Sequence, residues 1–176
     1  GKTTLTLGIL AALRARGIRV QPFKVGPDYI DPGLHFHAAG INSHNLDSWM
    51  GSEEVVKNVF AKNAAHAQVS IIEGVMGLYD TARGHRIKGS TAHIAMILKA
   101  PVVLVVDSKM LAQSCVAMVK GFIDYEPGIK IQGVILNNAG IFHKIEVGPR
   151  LEEELGVKVL GCLSENRNIT MPERHL

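Results

Sequence analysis

The chain is predicted to fold as an α/β protein, with a mostly parallel sheet carrying helices on both faces. Three observations predict this. Hydrophobic residues make up 47% of the 176 residues but aromatics only 5%, so the core is built from Val, Ile, Leu and Ala, the mix of buried parallel strands. Short apolar runs alternate with helix-like segments along the chain. Polar side chains close those runs: Lys24 and Asp28, then Glu73, then Asp107, then Asn137 and Asn138. In such sheets the chemistry sits beyond the carboxyl ends of the strands.

The elements follow in order. Leu5, Ile9, Ala12 and Leu13 recur at helical spacing, and Gly17 supplies a stop. "IRVQPFKV" reads as a strand and "GPDYIDPG" as a turn-rich connection. "SEEVVKNVFAKNAA" starts with a capping serine and two acids in its first turn, which marks a helix. "AQVSIIEG" is a short strand ending in a carboxylate, and a glycine-rich loop runs from Gly74 to Gly89. "STAHIAMILKA" is a helix, "PVVLVVD" a strand, "MLAQSCVAMVKGFI" a helix and "IQGVILNN" a strand. "PRLEEELG" is a short helix with Pro149 in its first turn, and "VKVLGCL" is the last strand.

Bulk properties narrow the function classes. A net charge of +3 without a basic run longer than two gives no footprint for nucleic acid. No apolar stretch reaches membrane-span length, and the start is not a signal peptide. Cys115 and Cys162 match no zinc or redox spacing and fit a reducing, cytoplasmic compartment. The length suggests a single domain over residues 1–176. The chain starts inside a motif and stops abruptly at "PERHL", so it reads as a fragment truncated at both ends.

That opening motif is Gly1-Lys2-Thr3-Thr4, which reads as the ending of a phosphate-binding loop; the alternative is an ordinary first helix turn with an exposed lysine, and the acids at successive strand ends favour the former. The preceding strand and first glycine of the full motif are not in the chain, so a P-loop NTPase-like fold is expected with its first strand missing. In such a loop, backbone N–H groups and the helix dipole hold the phosphates. Lys2 would reach the β- and γ-phosphates, Thr3 the Mg²⁺, and Thr4 the α-phosphate. Lys24 would clamp the γ-phosphate and the charge that develops on it. Asp28 and Glu73 supply hard carboxylate oxygens suited to Mg²⁺, so the metal set is Thr3, Asp28 and Glu73. The expected cofactors are ATP and Mg²⁺. His35, His37 and His44 lie close together but lack a zinc partner motif and are set aside as ligands.

"PFKVGPDYIDPGLH", "NLDSWM", "IIEGVMGLYD", "KGSTAHIA", "APVVLVVD" and "PERHL" occur in this order. Together they resemble the amino-terminal synthetase domain of the cobyrinate a,c-diamide synthases, across nearly the whole chain. The resemblance implies a dethiobiotin synthetase-like variant of the fold. It also implies ATP-dependent amidation of the a- and c-acetate carboxylates of a corrinoid through acyl phosphates. In that family a glutamine amidotransferase domain of the same parent chain supplies the nitrogen, and no such domain is present in this sequence. Implied partners are a tetrapyrrole polycarboxylate and that domain, with a homodimer as an option, and neither nucleic acid nor membrane. Two alternatives stay open, a Ni-sirohydrochlorin a,c-diamide synthase and a ParA/MinD-type switch ATPase.

By the same resemblance, Asp80 faces the substrate carboxylate or the incoming ammonia and accepts a proton as the amide forms. Tyr29, Asp31, His35, Asn45 and Asp47 line the tetrapyrrole pocket. Ser90 and Thr91 either donate to a substrate carboxylate from a helix start or cap that helix. By the resemblance, Asn137 reads the adenine edge. The chain departs from the family pattern at Thr81, where glycine is common. It also departs in the loop carrying Arg83, His85, Arg86 and Lys88, which reads as a solvated loop.

Overall fold

The computed structural model describes residues 1–81, 84–166 and 169. Arg83 and the "PERHL" block lie outside the described residues. The chain forms two compact units, one over Lys2–Lys99 and one from Ala100 onward, each with its own three-stranded parallel sheet. The α/β class and the parallel pairing expected from the sequence are both present.

The first unit runs α1 (Lys2–Ala15), β1 (Val20–Val25), α2 (Ile30–Ala39), β2 (His44–Leu46), α3 (Glu53–Ala64), β3 (Val69–Glu73) and α4 (Thr91–Leu98). Its sheet order is β2-β1-β3. Side chains of β1 alternate between the two faces, as the pleat requires. Phe23 and Val25 point to a core completed by Leu46, by Val56 of α3 and by Ile94 of α4. Val20 points to the other face and packs with Leu10 of α1 and Ala39 of α2. Lys24 therefore lies on the α1–α2 face, at the carboxyl end of the central strand.

Two elements differ from expectation. The segment read as turn-rich starts a helix inside itself: Pro32 is the third residue of α2, where a missing N–H breaks no intrahelical bond. β2 has only three residues, too few to show a period of two. Pro22 stands mid-strand in β1, which lies between two partners. It is tolerated because β2 pairing begins one residue later, at Phe23↔His44. There the Gln21 side-chain amide donates to the carbonyls of Pro22 and Asn42 at 2.9 and 2.8 Å.

The second unit runs β4 (Val102–Asp107), α5 (Ser114–Tyr125), β5 (Ile131–Asn137), a π-helical turn (His143–Val147), α6 (Gly148–Leu155) and β6 (Lys158–Leu163). Its sheet order is β4-β5-β6. Leu104, Val106, Val134, Leu136, Val119 and Leu151 are buried and form its apolar interior. Among the described residues no helix is long and apolar enough to cross a membrane.

Candidate functional site

The site of the first unit is set by sheet register. Lys24 of β1 pairs with Glu73 of β3, so the two side chains emerge side by side on the face covered by α1 and α2. Thr3 reaches them from the first turn of α1. Asp31 and His35 reach them from α2, where a spacing of one turn puts both on the same helix face.

The contacts are short and almost all enclosed. Glu73 Oε1 accepts from Thr3 Oγ1 at 2.6 Å and from Lys24 Nζ at 3.1 Å. Glu73 Oε2 lies 2.6 Å from His35 Nε2, and His35 Nδ1 lies 3.0 Å from Ser43 Oγ. Lys24 Nζ also meets Asp31 Oδ2 at 2.7 Å and the Gly74 carbonyl at 3.2 Å. The side chains of Lys24, Asp31 and Glu73 are only 5%, 7% and 1% exposed. Lys24 thus serves two buried carboxylates, and Thr3 and His35 complete the contacts of Glu73.

Burial alone would push the Glu73 carboxyl up. Hydrogen bonds from His35 and Thr3 and the charge of Lys24 outweigh burial and the opposing Asp31, and hold it below its ordinary 4.5. A carboxyl held low in the fold adds stability above its unfolded pKa, and that contribution is lost as pH falls through the lowered value. The protein is therefore expected to lose stability on acidification below about 4.5, and Glu73→Gln to lose less there. Thermal melts from neutral pH down to about 3 check this.

Around this centre the loops at the carboxyl end of the sheet are tied down. Gly26 has φ 79 and turns the chain out of β1. Asp28 Oδ1 then accepts from the N–H groups of Ile30 and Asp31 at 2.8 and 2.9 Å, closing the start of α2. Asn45 Nδ2 donates to the Asp28 carbonyl at 2.9 Å. Asp47 Oδ1 accepts from the N–H groups of Trp49 and Met50 at 2.7 and 3.1 Å. Lys2 is exposed, and its Nζ donates to the Met76 carbonyl at 2.7 Å; Met76 takes a left-handed φ of 49. Asp80 is exposed, and its Oδ2 accepts from the Gly77 N–H at 2.7 Å. Tyr29 is 91% exposed. Gly1 precedes α1, and Thr4 lies half-buried in its first turn.

Ser90 and Thr91 both act at the start of α4. Ser90 Oγ accepts from the His93 N–H at 3.1 Å and donates to the Ile87 carbonyl at 2.5 Å. Thr91 Oγ1 accepts from the Val75 N–H at 3.0 Å and donates to its carbonyl at 3.2 Å, fixing the loop after β3. Gly74 permits that closeness, since a Cβ there would stand 2.8 Å from Thr91 Cγ2. Ser90 is completely buried, so Ser90→Ala is expected to cost about 1–2 kcal/mol of stability, read from denaturant melts.

In the basic loop, His85 meets Trp49 edge-on with ring centroids 5.0 Å apart, and the Lys88 carbonyl accepts from Thr81 Oγ1. A groove of about 650 Å³, lined by Lys57, Lys88, His93, Met96 and Lys99 among others, runs along α3 and α4 and contains neither Lys24 nor Glu73. In the second unit, the Asn137 carbonyl accepts from the N–H and Oγ of Ser108, both at 2.9 Å. Asn138 Nδ2 donates to Asp107 Oδ1 at 3.1 Å.

Ser43 and Met76 join the site without having been expected there. Met76 contributes its backbone carbonyl, which no side-chain pattern can reveal, and Ser43 lies in a polar segment without periodicity. Among the described residues no group of three or more His, Cys, Asp or Glu is arranged to hold a metal ion. The Thr3 hydroxyl and Glu73 carboxylate together are two hard oxygens at a helix start. That donor set fits Mg²⁺, which takes one or two protein oxygens alongside phosphate and water.

Comparison with known proteins identifies the family and the fold. The family model described as the CobQ/CobB/MinD/ParA nucleotide binding domain matches residues 1–176. The chain is 46% identical to a cobyrinate a,c-diamide synthase of Picrophilus torridus and 48% identical to one of Caldanaerobacter subterraneus. It is 44% identical to a hydrogenobyrinate a,c-diamide synthase of Streptomyces coelicolor. Each match covers the whole chain but only 40%, 39% and 36% of the respective relative. Among solved structures, chloroplast FtsY from Physcomitrella patens shares the fold, with a TM-score of 0.65 at 15% identity over 93% of this chain and 56% of that one. A family model spanning every residue, on a fold that places Gly-Lys-Thr beside a strand-end acid, admits one assignment: the chain belongs to the CobQ/CobB/MinD/ParA nucleotide-binding domain family.

Proposed function

We propose that the chain is the nucleotide-binding part of an enzyme that uses ATP and Mg²⁺ to amidate the a- and c-acetate carboxylates of a corrinoid such as cobyrinate. The observation that carries this reading is the meeting of Thr3 with the buried Lys24–Asp31–Glu73 set. The names of the similar synthases supply the substrate class. A second feature supports a large, flat, partly apolar substrate. Tyr29, Trp49, Met50 and Met76 are exposed on the loops that follow β1, β2 and β3, and parallel pairing puts all three loops at one end of the sheet. The release of ammonia from glutamine is assigned to the rest of the parent protein.

When bound, ATP with Mg²⁺ supplies the γ-phosphoryl group that turns a carboxylate, a poor electrophile, into an acyl phosphate that ammonia attacks. The residues of this chain position and neutralise. Gly1, Lys2 and Thr4, at the positive end of α1, hold the phosphates. Thr3, Glu73 and Asp28 hold the metal. Lys24 balances the negative charge gathered at the strand ends. Asp80 takes the proton released as the amide forms. Tyr29, Asn45 and Asp47 shape the substrate loops, while Asp31, His35, Ser90 and Thr91 support the site from beneath. By the resemblance, Asn137 reads the adenine edge.

The test is to incubate the whole parent protein with cobyrinate, hydrogenobyrinate or Ni-sirohydrochlorin, together with ATP, Mg²⁺ and ammonia. The expected result is a doubly amidated product from one of them, seen by mass spectrometry. Absence of amidated product from all of them would overturn the reading.

A further inference from the structure

We propose that His35, held by Ser43, is a positioning residue that fixes the Glu73 carboxylate for its metal role; this rests on the reading of Glu73 as the acid serving Mg²⁺. The two oxygens of Glu73 are divided between two sets of partners. Oε1 faces Thr3 and Lys24, on the phosphate side, and Oε2 is held from behind by His35 Nε2 at 2.6 Å. A carboxylate only accepts hydrogen bonds, so Nε2 carries the proton in that contact. On the other side of the ring, Nδ1 lies 3.0 Å from the Ser43 hydroxyl, which can serve as its hydrogen-bond partner in either role. Ser43 thereby holds the far side of the ring and keeps Nε2 aimed at Glu73.

His35 is completely buried, so it acts through Glu73 and touches neither substrate nor nucleotide. The backbone holds the imidazole firmly: α2 carries it one turn after Asp31, whose carboxylate is itself locked to Lys24 at 2.7 Å. An unrestrained glutamate side chain spreads over several rotamers. Pinning Oε2 leaves Oε1 in one place beside the Thr3 hydroxyl, and outer partners of this kind are commonly worth 10–100-fold in metal affinity.

The experiment uses the whole parent protein, MgCl₂ and a non-hydrolysable ATP analogue, and reads the Mg²⁺ concentration that half-saturates nucleotide binding. His35→Leu is expected to raise that concentration about 10–100-fold while leaving Mg²⁺-free nucleotide affinity unchanged. His35→Gln, whose side-chain N–H can donate at similar reach, is expected to restore most of the loss. Ser43→Ala is expected to raise it in the same direction by a smaller factor. An unchanged Mg²⁺ requirement in folded His35→Leu, or a His35→Gln variant as impaired as His35→Leu, would overturn the proposal. Should His35→Leu fail to fold, Ser43→Ala decides, and an unchanged Mg²⁺ requirement there overturns it. If wild-type nucleotide binding is itself indifferent to Mg²⁺, the metal reading of Glu73 fails instead.

Discussion

Glu73→Gln is expected to lower Mg²⁺-dependent ATP turnover about 100-fold or more while the protein stays folded. Both halves follow from the charge arrangement. Glu73 is the strand-end acid that Thr3 touches, so its charge is the one a metal at that hydroxyl would meet. The substitution removes that charge but keeps the shape and an acceptor oxygen. Lys24 and Asp31 remain paired at 2.7 Å, so no buried charge is orphaned. Steady-state turnover at saturating ATP, with a thermal melt of the same sample, separates the two effects. Turnover within about threefold of wild type would contradict the role of Glu73.

Lys24→Met is expected to have the opposite balance, with stability falling by about 3–5 kcal/mol. Methionine fills the space of the lysine stem, so the loss is not one of packing. It leaves the carboxylates of Asp31 and Glu73, 7% and 1% exposed, facing each other without their shared cation. Either the carboxylates take up protons or the sheet end opens to water. Denaturant unfolding at neutral pH measures the loss. Adding Asp31→Asn should recover part of it, because the second acid then no longer needs a partner. A single variant as stable as wild type would show that the three groups are not mutually dependent.

The sequence made most of the framework legible, because apolar runs of strand length and capped helices carry their own signals. β1, β3, β4, β5 and β6 all lie where those runs lie. α2 was obscured by Pro32 and Gly33, residues that break helices in the interior but not in the first turn. That omission hid a relation within the site. Once residues 30–39 are helical, Asp31 and His35 share one face and turn together toward Lys24 and Glu73. Thr3, Lys24 and Glu73 themselves were legible from their places at a helix start and at strand ends. Their contacts were not, because the register Lys24↔Glu73 arises between strands far apart in sequence.

Carboxylate activation by phosphoryl transfer is the central claim, and isotope transfer tests it most directly. The whole parent protein would be given the tetrapyrrole with its acetate carboxylates labelled with ¹⁸O, together with ATP, Mg²⁺ and ammonia. The account predicts ADP and inorganic phosphate carrying one ¹⁸O atom for each amide formed. Amide formed alongside unlabelled phosphate, or with AMP as the nucleotide product, would contradict it.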